Sequence, residues 1–267
     1  MSDKKPMDVV ILCGGMGTRM REETEVKPKP MVEVGGKPLL WHIMKYYSHF
    51  GFSRFILALG YKGDYIKKYF YDYGYLSSDF TVVLDPQKPP QVHSLSHENH
   101  WEVTCVDTGQ ATLKGGRVKR IEKYLQSDSF HLTYGDGVGS VDLDRLVAFH
   151  REHQRLGTVT AVRPPSRFGE MRIEPNGLVS VFEEKPQLTE GNINGGFFIF
   201  NRQFLSRLTA DENCDLEFGA LQKLAQDSQL AAYRHDDYWQ CMDTVRDAQY
   251  LNRLWDSGTA PWKVWKD

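Results

Sequence analysis

The chain has 267 residues, a formal net charge of −2 and four cysteines. That length allows one large domain or two small ones with a substantial core, and the charge balance excludes a global field able to hold nucleic acid or an anionic membrane. No apolar run approaches the ~20 residues of a membrane span, and Cys13, Cys105, Cys214 and Cys241 form no Cys-x-x-Cys pair, which argues for reduced thiols in the cytoplasm rather than a disulfide framework or zinc site.

Residues 1–6 read as a short disordered lead without the apolar stretch of a signal peptide. Met7 to Cys13 is a short, β-branched run ended by glycines, which predicts a buried strand. Pro38 to Tyr47 has helical apolar spacing, with Pro38 suited to a first turn. Arg54 to Leu59 predicts a second buried strand, Asp64 to Phe70 a helix and Phe80 to Leu84 a third strand. This alternation argues for a mostly parallel sheet with covering helices.

Pro86 to Trp101 is polar, proline-marked and rich in histidine, and reads as a loop. His93, His97 and His100 have spacings that would suit a metal on a helix, but this setting favours a substrate or subunit loop. Gly115 to Leu125 predicts a helix opened by two glycines, and Phe130 to Tyr134 a strand ending at Gly135-Asp136-Gly137. Asp142 to Arg155 predicts a helix whose early acids suit its dipole, followed by a strand over Thr158 to Val162. Phe168 to Phe200 reads as strand-rich, with turns at Pro175-Asn176-Gly177 and around Gly191. Leu216 to Gln226 and Asp247 to Leu254 read as helices.

The chemistry concentrates after the first strand. Glycines there let backbone N–H groups approach an anion, because no Cβ blocks them. The dinucleotide fingerprint fails, since its third glycine position holds Met20, and the Gly-Lys-Ser/Thr triplet of a P-loop is absent. What remains is Gly14-Gly15-Met16-Gly17-Thr18-Arg19, then Lys27, Lys29 and Lys37. Arg19 has the planar fork that clamps phosphate oxygens. Asp136, flanked by glycines at a strand end, suits a hard cation that prefers oxygen ligands, although Asp-Gly is also a common turn. Asp142 and Asp144 form an Asp-x-Asp, but capping of the predicted helix explains them more simply. On residue type alone, Glu184-Lys185-Pro186 reads as an ordinary surface turn, and Trp239 as core.

Val9 to Pro38 resembles the signature of the sugar-1-phosphate nucleotidyltransferases, most closely the branch that transfers cytidylyl groups to glucose 1-phosphate. VKPKPMVEVGGKPLLWHIMKYYSHFG, ALGYKGDYIKKYF, TYGDGV, FEEKP, INGGFFIF and WQCMDTVRD continue the resemblance in order along nearly the whole chain. It implies a single nucleotidyltransferase domain over 1–267. The implied fold is Rossmann-like α/β, with a mixed, mostly parallel central sheet flanked by helices and extra strands in the second half.

The implied reaction is attack of a sugar 1-phosphate on the α-phosphorus of CTP, giving CDP-glucose, a precursor of deoxysugars and of surface polysaccharide such as lipopolysaccharide O-antigen. By resemblance, Arg19 and Lys29 are catalytic, and Asp136 and Asp243 hold Mg²⁺. Leu12, Cys13, Gly14, Gly15, Gly17, Thr18, Thr108, Gly116, Arg117 and Gly135 bind the nucleotide. Gly169, Glu184, Lys185, Asn194 and Gly195 bind the sugar phosphate. The resemblance also implies a homo-oligomer.

Gly169-Glu170-Met171 and Leu216 to Ala220 depart from a glucose-specific pattern and leave the acceptor sugar open. UTP or dTTP in place of CTP, another sugar 1-phosphate, or a non-catalytic nucleotide-sugar-binding regulator are the alternatives. The regulator predicts loss of Arg19, Lys29, Asp136 or Asp243, and all four are present.

Overall fold

A computed structural model describes residues 7–85, 87–94, 98, 100–163, 170–183 and 191–266. Its strands in the main sheet and site are β1 (Asp8–Cys13), β2 (Arg54–Leu59), β3 (Glu102–Asp107), β4 (Ser129–Tyr134), β5 (Gly137–Gly139), β6 (Gly157–Val162), β7 (Ile193–Asn194), β8 (Phe198–Asn201), β9 (Leu230–His235) and β10 (Trp239–Cys241). The principal helices are α1 (Leu39–His49), α2 (Gly63–Tyr71), α3 (Lys114–Arg120), α4 (Leu143–His153) and α5 (Val245–Asp256).

The central sheet runs β7, β6, β8, β4, β1, β2, β3, with β9 on the other side of β6. β1 pairs in parallel with both β2 and β4, and β2 with β3, so these four strands end at one edge. β8 runs antiparallel to both β4 and β6, which makes the sheet mixed.

Alternation within β1 divides the core into two layers. Val9, Ile11 and Cys13 join the cluster that packs α1 and α5, whereas Val10 and Leu12 join the cluster around α3, Phe198 and Phe204. A strand covered on both faces tends to be apolar along most of its length, which is why Asp8–Cys13 and Arg54–Leu59 are near-continuous hydrophobic runs. Helix α5 starts from a capping box in which Thr244 and Asp247 satisfy each other's backbone N–H groups. Asp142 caps α4, accepting from Arg145 N at 3.0 Å.

Three sequence expectations need correction. Phe80 to Leu84 does not enter the sheet: only Phe80–Thr81 is extended, pairing with Gln91–Val92 in a separate ribbon, and Val82, Val83 and Leu84 are exposed. The third parallel strand is β3, inside a stretch for which no element was expected. It is an edge strand with little full burial, so it lacks a continuous apolar signal. The helix expected from Leu216 begins as a π-helix over Leu216–Leu221 and becomes α-helical at Gln222–Gln226.

His42, His131 and His150 are buried. Burial holds the pKa of His42 and His150 at about 4 and of His131 at about 3, below the ordinary 6.5. Neither ring nitrogen of His131 has a hydrogen-bond partner among the described residues. These depressed values contribute stability that is full above pH 6.5 and lost as pH falls through about 4. Urea denaturation at pH 7 and pH 4.5 should therefore show a loss of roughly 2–3 kcal/mol per buried histidine, and His131→Leu should flatten the pH dependence.

Candidate active site

The parallel strands β1, β2, β3 and β4 deliver their following loops to one edge of the sheet, where open α/β folds bind ligands. These loops are Gly14–Gly17, Gly60, Thr108–Gln110 and Gly135–Asp136. Gly15 has open space where a side chain would stand, so the first loop presents bare backbone. Leu12 and Cys13 are buried, which leaves only their backbone for a ligand. Burial also pushes the Cys13 thiol far up, so it stays protonated.

Lys29 stands in a 3₁₀ turn, Lys29–Met31, in which Pro30 and Met31 are buried. The turn is pinned by its prolines, and the lysine side chain is only 12% exposed. Its Nζ lies 2.7 Å from Asp136 Oδ2 and 2.6 Å from Asp243 Oδ1. Arg19 Nη1 donates to the other oxygen of Asp243, Oδ2, at 2.8 Å.

Two carboxylates far apart in sequence meet because of a short ribbon. β5 follows Asp136 and pairs antiparallel with β10, which precedes Asp243, and Met242 N donates to Asp136 O at 2.7 Å. Asp247 Oδ2 accepts from Asp243 N at 3.0 Å, which fixes this carboxylate just before α5. Burial opposes the Lys29 charge, but Asp136 and then Asp243 outweigh it and raise the lysine pKa. Burial likewise opposes ionisation of Asp243, and Lys29 with Arg19 overrides it, holding this carboxyl below its usual range.

Arg117 takes a position that its residue type did not reveal. Its guanidinium is buried and donates to backbone carbonyls: Leu59 O at 2.9 Å, Gly109 O at 2.7 Å, Gly14 O at 3.2 Å and Gln110 O at 3.1 Å. It also donates to Thr108 Oγ1 at 2.8 Å. Its two terminal nitrogens are therefore committed to the last residue of β2 and to the loops after β1 and β3, and the side chain is a clamp on the site. A Cβ at Gly14 would fall 2.3 Å from this guanidinium, so the close approach requires glycine. Thr108 is buried, and its Oγ1 donates to Leu59 O. Gly116 packs its Cα against Asp211 O, where a Cβ would approach to 2.4 Å. Side chains of Thr108 and Arg117 thus face the framework, and their loops, rather than those side chains, line the edge.

Gly135 N donates to Leu12 O at 3.0 Å, seating the Asp136 turn on β1. Thr18 and Arg19 open a 3₁₀ turn, and Arg19 remains 70% exposed. Asn194 is exposed at the same edge, and Gly195 O accepts from Trp239 Nε1 at 2.8 Å. Trp239 also packs on the core. Gly169, Glu184 and Lys185 lie outside the described residues, as does His97. His93 meets Thr81 Oγ1 and His100 meets Ser48 Oγ, so these two histidines diverge. The clamp role of Arg117 and the β5–β10 ribbon were missed in the sequence; carbonyl acceptors leave no side-chain signal to find.

The chain matches the Nucleotidyl transferase family over residues 8–252. It is 47% identical over 261 residues to glucose-1-phosphate cytidylyltransferase of Salmonella typhi, covering 97% of this chain and all of that protein. It is 40% identical over 259 residues to the probable glucose-1-phosphate cytidylyltransferase of Bacillus subtilis, with 97% and 100% covered. The fold is similar to that of HddC from Yersinia pseudotuberculosis, with a TM-score of 0.66, 24% identity, and 93% and 99% of the two chains covered. This chain belongs to the nucleotidyl transferase family.

Arg117→Met removes a charged donor from several carbonyls, an exchange worth about 1.5–3 kcal/mol per charged hydrogen bond. Titration calorimetry with nucleotide should show binding weakened at least about tenfold, with a lowered Tm, and Arg117→Lys should recover part of both.

Proposed function

We propose that the protein transfers a cytidylyl group from CTP to α-D-glucose 1-phosphate, with Mg²⁺ as its metal. The observation that carries this reading is the convergence of Lys29, Asp136, Asp243 and Arg19 beside an open glycine loop. The relatives named for this activity support cytidine as the base and glucose 1-phosphate as the acceptor.

In the proposed reaction a phosphate oxygen of the sugar 1-phosphate attacks the α-phosphorus, and the bond to the β-phosphate breaks to release pyrophosphate. The nucleophile is already an anion, so the demand on the protein is positioning and charge neutralisation. Arg19 and Lys29 supply the positive charge. The loop from Leu12, Cys13, Gly14 and Gly15 to Gly17 and Thr18, with Gly135, would hold the nucleotide through its backbone. Base recognition falls to the loop at Thr108 and the turn at Gly116, held by the Arg117 clamp. Asn194 and Gly195, together with Gly169, Glu184 and Lys185, form the proposed sugar-phosphate side.

The carboxylates fit a hard divalent cation. Asp136 Oδ2 and Asp243 Oδ1 both lie within hydrogen-bond reach of Lys29 Nζ, so two carboxylate oxygens stand close enough together to share one hard cation beside the lysine. Among the described residues no group of three or more His, Cys, Asp or Glu side chains gathers for a metal. Two protein carboxylates completed by substrate phosphates suit Mg²⁺, which keeps few protein ligands. When bound, the ion would neutralise the leaving pyrophosphate.

The reading also takes the enzyme as cytoplasmic and as a source of CDP-glucose for deoxysugar or surface-polysaccharide assembly. Among the described residues no helix is long and apolar enough to cross a membrane. A homo-oligomer belongs to the same reading, and the exposed apolar side chains Tyr71, Leu76 and Leu84 support it.

The test is pyrophosphate release with glucose 1-phosphate and Mg²⁺, running CTP, UTP, dTTP, ATP and GTP in parallel. CTP should be the preferred donor; preference for another nucleotide would contradict the cytidine assignment, and silence with all five would contradict the acceptor. Lys29→Met should lower kcat by roughly 10²–10³, the cost of losing one preorganised charge-stabilising group.

A further inference from the structure

A second polar cluster stands at the same sheet edge, and of its members only Asn194 has been given a role above. Tyr134, the last residue of β4 and two before Asp136, donates its hydroxyl to Glu217 Oε1 at 2.9 Å. The same hydroxyl accepts from Asn194 Nδ2 at 2.8 Å. Lys114, the first residue of α3, pairs with Glu217 and lies over the Tyr134 ring at 5.1 Å from its centroid. Asn194 Oδ1 accepts from Gly196 N at 2.9 Å, so both ends of this amide are held. Four residues from four elements thus share one connected network.

The network touches the proposed nucleotide side through α3. Gly116 N donates to Cys214 O at 3.0 Å and Leu113 N to Glu212 O at 2.7 Å, which ties α3 to the segment leading into Glu217. Asp215 caps that segment by accepting from Phe218 N at 2.7 Å. Arg117, on the same helix as Lys114, holds Gly14 and Gly109. Glu217 sits within the π-helix Leu216–Leu221, and such single-turn departures from α geometry concentrate at functional sites. The network therefore reaches from the helix that clamps the glycine loop to Asn194.

We propose that Glu217 and Tyr134 are positioning residues for the acceptor sugar phosphate, holding Asn194 in the orientation that meets it. This rests on the proposed function, which places Asn194 on the sugar side. Glu217 accepts from both Lys114 and Tyr134, so the carboxylate fixes the tyrosine hydroxyl as a donor and leaves its lone pair for the Asn194 amide. Removing the tyrosine hydroxyl releases the Asn194 amide nitrogen, and removing the Glu217 charge loosens the hydroxyl that holds it, while Gly196 N still holds the amide oxygen and Lys29, Asp136 and Asp243 are untouched.

Steady-state kinetics of Tyr134→Phe and Glu217→Gln test this, using whichever nucleotide and sugar 1-phosphate the wild-type enzyme prefers from a panel including glucose, galactose and mannose 1-phosphates. Which pair the wild type prefers tests the proposed function; the change in the variants tests the present inference. KM for the sugar phosphate should rise about tenfold in both variants, with KM for the nucleotide within about twofold of wild type, the signature of a lost ground-state contact to one substrate. Discrimination among the three sugar phosphates should narrow, and Glu217→Asp should recover part of the loss. Unchanged KM for both substrates, or an equal rise in both accompanied by a lowered Tm, would overturn the proposal and leave the cluster as framework. Tyr134→Phe keeps the ring and its packing, so it reports even where Glu217→Gln folds poorly.

Discussion

Everything at the site depends on one lysine held between two carboxylates. Like charges at this distance repel, and half-burial removes much of the water that would screen them. Lys29 resolves the conflict at 2.6–2.7 Å from both, and Arg19 takes the remaining oxygen of Asp243. The scaffold contributes position: prolines fix the Lys29 turn, β1 seats the Asp136 turn through Gly135, and the β5–β10 ribbon carries Asp243 alongside. The result is a balanced set of charges aimed at an edge made of bare backbone, the arrangement that joining two phosphorylated substrates requires.

Arg117 supports this edge from beneath. A buried guanidinium with no carboxylate within hydrogen-bond reach among the described residues would be costly alone, but carbonyl oxygens from three strand ends accept from both of its terminal nitrogens. Its charge stays close to the glycine loop, where it favours anions. Glycine at position 14 is the condition for that approach, since any side chain there would collide with the clamp.

Much of the fold was legible in the sequence because doubly covered strands announce themselves. Asp8–Cys13 and Arg54–Leu59 are apolar runs stopped by turn residues, Ser129–Tyr134 alternates apolar with polar residues before a glycine turn, and each is a central strand. The edge strand Glu102–Asp107 gave no such signal, while Phe80 to Leu84 gave a false one: apolar residues there face solvent. The π-helix at Glu217 has no residue pattern that separates it from an α-helix. At the site, the glycine loop was readable from chemistry, but the pairing of Asp136 with Asp243 came only from resemblance to a known family. No spacing rule joins residues brought together by a three-residue ribbon. Arg117 was assigned to the nucleotide only by resemblance, and its clamp role left no signal because its partners are mostly backbone atoms.

The central claim is that Asp136 and Asp243 act as a single unit on one cation. A double-mutant cycle on pyrophosphate release with Asp136→Asn, Asp243→Asn and the pair tests it most directly. If the carboxylates act together, each single substitution costs about as much as the double, because residues working as a unit are strongly non-additive. Effects that multiply, with the double variant slower by the product of the two single losses, would show two independent contributions and contradict this account of the site.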